Sequence, residues 1–146
     1  MILIRAGGHR CAVPLANVSE VMRILPIKPI AGAAVYVRGI SVVRGQSIPV
    51  IDLGVLLGNA AADDGGRLIV LRVNERNVAM AVDAIGGLAT LSPSMLSEIP
   101  PLLHDACAEF LAGIGVLDGE LLMVLQASRI ITDKTWSAVA SQAAST

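Results

Sequence analysis

Apolar positions along this chain fall in short runs dense in Val and Ile, separated by clusters of Gly, Asn, Asp and Pro. Short apolar runs bounded by turn residues read as strands, whereas amphipathic helices repeat over longer windows. Residues 2–6 and 10–13 flank Gly7-Gly8-His9, a predicted hairpin turn. Pro14 cannot continue a central strand but suits the first turn of a helix, so a short helix is predicted over 15–21. Residues 35–43 and 47–51 flank Arg44-Gly45-Gln46, a second hairpin. Asp52 then stands where it can cap a helical turn over 53–57 that Gly58 ends.

After a loop of polar and small residues at 59–66, the same grammar resumes. Residues 67–73 and 78–82 flank Asn74-Glu75-Arg76-Asn77, and Asp83 is placed to cap the turn that follows. Residues 113–117 and 120–125 flank Asp118-Gly119, a strong two-residue hairpin signal. Pro93, Pro100 and Pro101 mark a longer loop, 127–133 reads as a final helical turn, and 136–146 as a flexible tail.

The two halves of the chain repeat one another. At an offset of 67 positions Ile2 falls on Ile69, Arg5 on Arg72, Ala12 on Ala79 and Val18 on Ile85. At an offset of 74, Gly39 falls on Gly113, Ile40 on Ile114, Gly45 on Gly119 and Val50 on Val124. Isolated matches in Val-rich strands mean little, but the repeated order of hairpin, turn, hairpin and short helix is hard to reach by chance. A half of about 65 residues has a marginal core on its own. The expected architecture is therefore all-β: two pseudo-symmetric barrels with a groove between them, from half-repeats of about 1–64 and 65–135.

Composition narrows the function classes. Hydrophobic residues make up 54% and charged residues 16% of the 146, which is far from a disordered composition. Charges such as Lys28, Arg38, Arg44, Asp52, Arg72 and Asp83 break every apolar stretch short of the about 20 residues a spanning helix needs. No direct membrane insertion is expected, and without a recognisable signal peptide the expected location is cytoplasmic. A net charge of −1 and a single Phe, Tyr and Trp offer nothing for nucleic acid to bind.

Catalytic chemistry is equally sparse. His9 lies in a predicted turn and His104 in a loop, and no zinc spacing, nucleophile elbow or phosphate loop occurs. Asp52 and Asp83 could form a carboxylate pair, but each follows an apolar strand where a cap needs an acceptor, and capping is the simpler reading. Cys11 and Cys107 are widely separated and read as inert thiols, with no metal site and no cofactor expected. Binding remains.

The segment Gly39-Ile-Ser-Val-Val-Arg44-Gly45-Gln-Ser-Ile-Pro49-Val-Ile-Asp52-Leu53 resembles the CheW family, which reads Gly-x-x-Asn-Leu-Arg-Gly and then Pro-x-x-Asp-Leu. Val18-Ser-Glu20-Val21, Val82-Asp83, Gly113-Ile114 and Leu117-Asp118-Gly119 match further landmarks in order. The resemblance implies a single CheW-like domain over 1–135 with two SH3-like five-stranded barrels. It also implies a non-enzymatic chemotaxis adaptor in signal transduction. Its partners would be the regulatory domain of a CheA-type histidine kinase and the cytoplasmic tip of a methyl-accepting chemoreceptor. Val18, Glu20, Gly39 and Arg44 fall on positions implicated in receptor binding, while Gly45, Asp52, Asp83, Gly113 and Gly119 are expected to shape turns and caps. Two departures stand out: Val42 replaces the usual Asn, and Gln126 replaces an acidic residue. They fit an adaptor or competitor in a divergent, pilus-type array. A small barrel holding a hydrophobic ligand between its halves is the reading from another class.

Overall fold

The computed structural model describes residues 1–32, 35–58, 66–91, 96–97 and 111–130. Four hairpins carry the architecture. They are β1 (Ile2–Ala6) with β2 (His9–Val13), β4 (Val37–Val43) with β5 (Gln46–Asp52), β6 (Arg67–Val73) with β7 (Arg76–Val82), and β10 (Leu111–Leu117) with β11 (Glu120–Leu125). Each turns on two residues, Gly7-Gly8, Arg44-Gly45, Asn74-Glu75 and Asp118-Gly119, all at positive φ between 50° and 81°. Positive φ at both positions is what a type I′ turn requires, and its twist matches that of the strands it joins. The turns are tighter than the sequence suggests, because His9, Gln46, Arg76 and Asn77 already lie in strands.

The helix expected over 15–21 does not form. Pro14 starts only a 3-10 turn, Leu15–Asn17, and β3 (Val18–Arg23) follows with burial alternating residue by residue. Period-two burial is the signature of a strand, and it overrides the helix-start signal of the proline. Likewise Asp83 is followed by β8 (Ala84–Leu88), so it caps no helical turn; its Oδ2 accepts the Gly7 N–H at 2.9 Å, in the β1–β2 turn. Gly86 and Gly87 lie within β8, where the register against β1 shifts between Leu3 and Ile4.

Strands from both halves mix in each sheet. One sheet of five runs β3-β6-β7-β5-β4, and one of six runs β8-β1-β2-β11-β10-β9, where β9 is Leu96–Ser97. The first hairpin of each half thus joins the sheet of the other half, through antiparallel β1–β8 and β3–β6 pairs and parallel β2–β11 and β5–β7 pairs. The register obeys the two offsets: Val50 opposes Ala79 as Val124 opposes Ala12, and Val18 opposes Leu71 as Ile85 opposes Ile4. Bulges recur as well, between Val37 and Gly39 and between Leu111 and Gly113.

The two sheets bury an apolar face against each other. A cluster of 20 buried residues from both sheets, including Ile4, Val13, Leu71, Met80, Met123 and Leu125, packs into one shared layer. Each sheet keeps a smaller cluster on its other face, of seven residues around Val50 and Leu68 and of four around Leu3 and Leu122. Both faces of β6 and β7 are therefore apolar, with Ile69 and Leu71 in the shared layer and Leu68 and Val70 in the smaller one. Full burial of a Leu or Ile contributes about 1.5–3 kcal/mol. Ordering one residue's backbone costs about 1–2 kcal/mol, so neither small cluster can hold a half of the chain folded. Among the described residues neither sheet closes into a complete ring of paired strands. Apart from β9, the loop at 92–110 with His104 and Cys107 lies outside the described residues, as does the tail at 136–146.

This interlocking has a direct consequence. A fragment of residues 1–64 should show no cooperative unfolding by circular dichroism, nor should 65–146, while an equimolar mixture should recover both. Cooperative melting of 1–64 alone would mean the exchange of hairpins is dispensable.

Candidate functional site

Glu20 and Arg44 are brought together from opposite edges of the five-stranded sheet. Glu20 lies on β3 and Arg44 at the first position of the β4–β5 turn, and β3 and β4 are the outermost strands. Laid flat, four strand spacings would separate these edges by about 19 Å. Instead Arg44 Nε donates to Glu20 Oε1 at 2.8 Å and Nη2 donates to Oε2 at 2.9 Å. The sheet is therefore strongly curled, and the pair is a bidentate fork, the geometry that favours Arg over Lys. Hydrogen bonding from Arg44, with its charge, holds the Glu20 carboxyl below the ordinary carboxylate range. Glu20 in turn raises Arg44 above its ordinary value. The Arg44 side chain is 79% exposed and that of Glu20 25%, so the guanidinium faces outward while its carboxylate is tucked beneath.

Val18 sits at the start of β3, partly buried and packed against the shared layer. Gly39 is buried in β4 at a φ of 146°. Its neighbour Ile40 exchanges two backbone hydrogen bonds with Lys28, both of 2.8 Å. Pro26, Ile27, Lys28, Ile40 and Val42 line a shallow depression of about 420 Å³, into whose rim Val42 projects with 64% exposure. Val42 lies in the strand, not the turn, so the amide that the family usually carries there is not what holds this hairpin. The counterpart in the other sheet, Val116, is equally exposed at 63%.

Asp52 is fully buried and caps α1 (Leu53–Leu56), its Oδ1 accepting the Val55 N–H at 3.2 Å. Its other oxygen lies 3.7 Å from Nη1 of Arg38 on β4. At an offset of 74, Asp52 corresponds to Gln126 and Arg38 to Ala112, so the second half has lost both partners together. The 3-10 turn after Gln126, Ala127–Arg129, has no side-chain cap. The loss of the acidic residue at Gln126 is thus the removal of a whole ion pair, leaving no orphaned buried charge.

Sequence reasoning missed a second charged cluster. Arg5 and Arg10 oppose each other across β1 and β2, a placement that like charges disfavour. Glu120 resolves it, accepting two hydrogen bonds from Arg5 at 2.7 and 2.8 Å and lying 3.7 Å from Arg10. Asp118 lies 3.8 Å from the same Arg10. Hydrogen bonding from Arg5 holds the Glu120 carboxyl below its ordinary range. In the other sheet the positions of Arg10 and Glu120 are taken by Asn77 and Gln46, joined by a neutral hydrogen bond of 3.2 Å. Two arginines flanking a two-residue turn signal the need for a counter-ion, but not which distant strand supplies it.

Among the described residues no group of three or more His, Cys, Asp or Glu could hold a metal ion, and His9 opens β2 opposite Ala6 while Cys11 is fully buried. No described helix is long and apolar enough to cross a membrane.

Two measurements check the electrostatics. A depressed carboxyl stabilises the fold above the unfolded carboxylate pKa, and that contribution fades as pH falls through the lower folded value. The stability gap between the wild-type chain and Glu20→Gln should be full above about pH 5 and shrink below it, as read by urea unfolding at successive pH values; a pH-independent gap would show that the pair carries no such linkage. Asp52→Ala, which strands Arg38 and uncaps α1, should lower unfolding free energy by about 3 kcal/mol. A loss under about 1 kcal/mol in the same assay would place it among ordinary surface changes.

Comparison with known proteins fits this geometry. The family model for the CheW-like domain matches residues 1–135. The chain is 28% identical over 128 residues to the chemotaxis protein CheW of Rhizobium meliloti (strain 1021), covering 86% of this chain and 83% of that one. It is 31% identical over 140 residues to protein FrzA of Myxococcus xanthus, covering 93% and 87%. In structure it is similar to the scaffolding protein TtCheW from Thermoanaerobacter tengcongensis, with a TM-score of 0.74, 22% identity and 86% of each chain covered. A match spanning both sheets and every hairpin leaves one conclusion: the chain belongs to the CheW-like domain family.

Proposed function

We propose that this protein is a chemotaxis adaptor without catalytic activity of its own, coupling chemoreceptors to a CheA-type histidine kinase in the cytoplasm. The kinase's regulatory domain and the receptor's cytoplasmic tip are its two partners, and each curled sheet corresponds to one SH3-like barrel of the family. The observation that carries this reading is the Glu20–Arg44 fork, which stands on the motif residues of a family-matched chain. An outward guanidinium held by its own carboxylate is pre-organised, so little side-chain entropy remains to be lost when a partner carbonyl or carboxylate binds it. Val18 and Gly39 accompany the pair on the neighbouring stretches of β3 and β4.

The ligand-carrying alternative draws little support, because the space between the sheets is packed with side chains. Whether the adaptor stimulates its kinase or competes with a stimulating relative is decided by assay. Kinase, receptor fragment and this protein should together raise autophosphorylation above that of kinase and receptor alone. Arg44→Ala should weaken receptor coupling about tenfold, as for an interface anchor, with the thermal midpoint little changed. Inhibition by the wild-type chain would mark a competitor. A large fall in midpoint for Arg44→Ala would assign the residue to the fold instead.

A further inference from the structure

The Glu20–Arg44 pair joins two strands that make no direct hydrogen-bonded ladder with each other, so something else must hold the sheet curled. The chain leaving β3 spans the gap between them. Residues 24–30 form a strap that crosses from the end of β3 to the outer edge of β4. It is fastened at two places. Lys28 and Ile40 exchange their N–H and C=O groups at 2.8 Å, and the Ser41 hydroxyl donates to the Pro26 carbonyl at 2.7 Å. Met22, Ile24, Leu25 and Ile27 pack beneath against the smaller core of this sheet.

Gly39 is where the strap is seated. A Cβ there would fall on the Lys28 carbonyl oxygen, 2.6 Å from its carbonyl carbon and 2.9 Å from the Pro29 Cα. The obstacle is backbone on both counts, so no side-chain rotation can relieve it. The φ of 146° is also a region that residues with side chains avoid. Being buried beneath the strap, Gly39 has little to offer a partner directly. The six-stranded sheet has a matching fastening, where Ser97 opposes Ile114 as Lys28 opposes Ile40.

We infer that Gly39 is a positioning residue: its missing side chain seats the strap, and the strap holds β3 and β4 close enough for Glu20 to grip Arg44. Its bearing on partner binding rests on the adaptor reading above; its bearing on the pair does not. A substitution at Gly39 then acts on the receptor-facing surface from beneath, by letting Glu20 and Arg44 drift apart.

The test compares Gly39→Ala, Ser41→Ala and Arg44→Ala in the full chain, by amide hydrogen exchange and NMR titration of Glu20. Gly39→Ala should speed exchange at the Lys28 and Ile40 amides about tenfold or more. It should return the Glu20 carboxyl toward its ordinary range and leave β1 and β11 protected. Ser41→Ala, which removes one fastening without backbone strain, should shift both readouts in the same direction by less, and serves alone if Gly39→Ala does not fold. Arg44→Ala should release the Glu20 carboxyl without touching exchange at Lys28. The inference fails if the strap amides loosen while Glu20 titrates as in the wild type, or if neither readout moves in any folded variant at positions 39 and 41. Binding of a receptor cytoplasmic fragment is measured in parallel: a wild-type chain that does not bind it defeats the adaptor reading, while exchange and titration still decide the role of Gly39.

Discussion

Everything in this molecule hangs on one layer of apolar side chains shared by two sheets that have exchanged their first hairpins. Because β1–β2 completes the sheet of the second half and β6–β7 that of the first, neither half has a core of its own to retreat to. The alternation along these strands is exact enough that both faces are used: Cys11 and Val13 enter the shared layer while Ala12 enters the smaller one, and Met80 and Ala79 repeat the arrangement. A packed interior of this kind leaves the edges and turns as the places where surface chemistry can vary at low cost to the fold.

Those edges are where the internal symmetry breaks. The buried Asp52–Arg38 pair of one half becomes Gln126 and Ala112 in the other. The Arg10–Glu120 contact becomes a neutral Asn77–Gln46 contact, while Arg5 keeps its residue type at Arg72. In both the Asp52–Arg38 and the Glu120–Arg10 pairs the two members change together, as expected where losing one member of a pair strands its partner. The outcome is two sheets of one backbone plan with different surfaces, which suits the proposed role with its two unlike partners.

Local and periodic features were legible in the sequence. The Gly-containing turns, the strand-rich pattern and the offsets of 67 and 74 can all be read from neighbouring residues or from direct self-comparison. The exchange of hairpins could not, since nothing in an alternating strand names the distant strand it will pair with. Pro14 misled because a helix-start signal says nothing about length, and the alternation from Val18 onward decided for a strand. Of the site, Glu20 stood out through the family's motif, and Arg44 both through it and through its place beside Gly45 at a tight hairpin. That they grip each other follows from the curl of a sheet whose edges they occupy, and the seat at Gly39 depends on a strap 11 residues away.

In the proposed adaptor role, one small, interlocked body holds a receptor and a kinase together. Sedimentation of the chain with a receptor cytoplasmic fragment and a kinase regulatory domain tests it most directly. The expected result is a complex containing all three components, heavier than either pair. Two binary complexes that displace one another, or no complex at all, would contradict it.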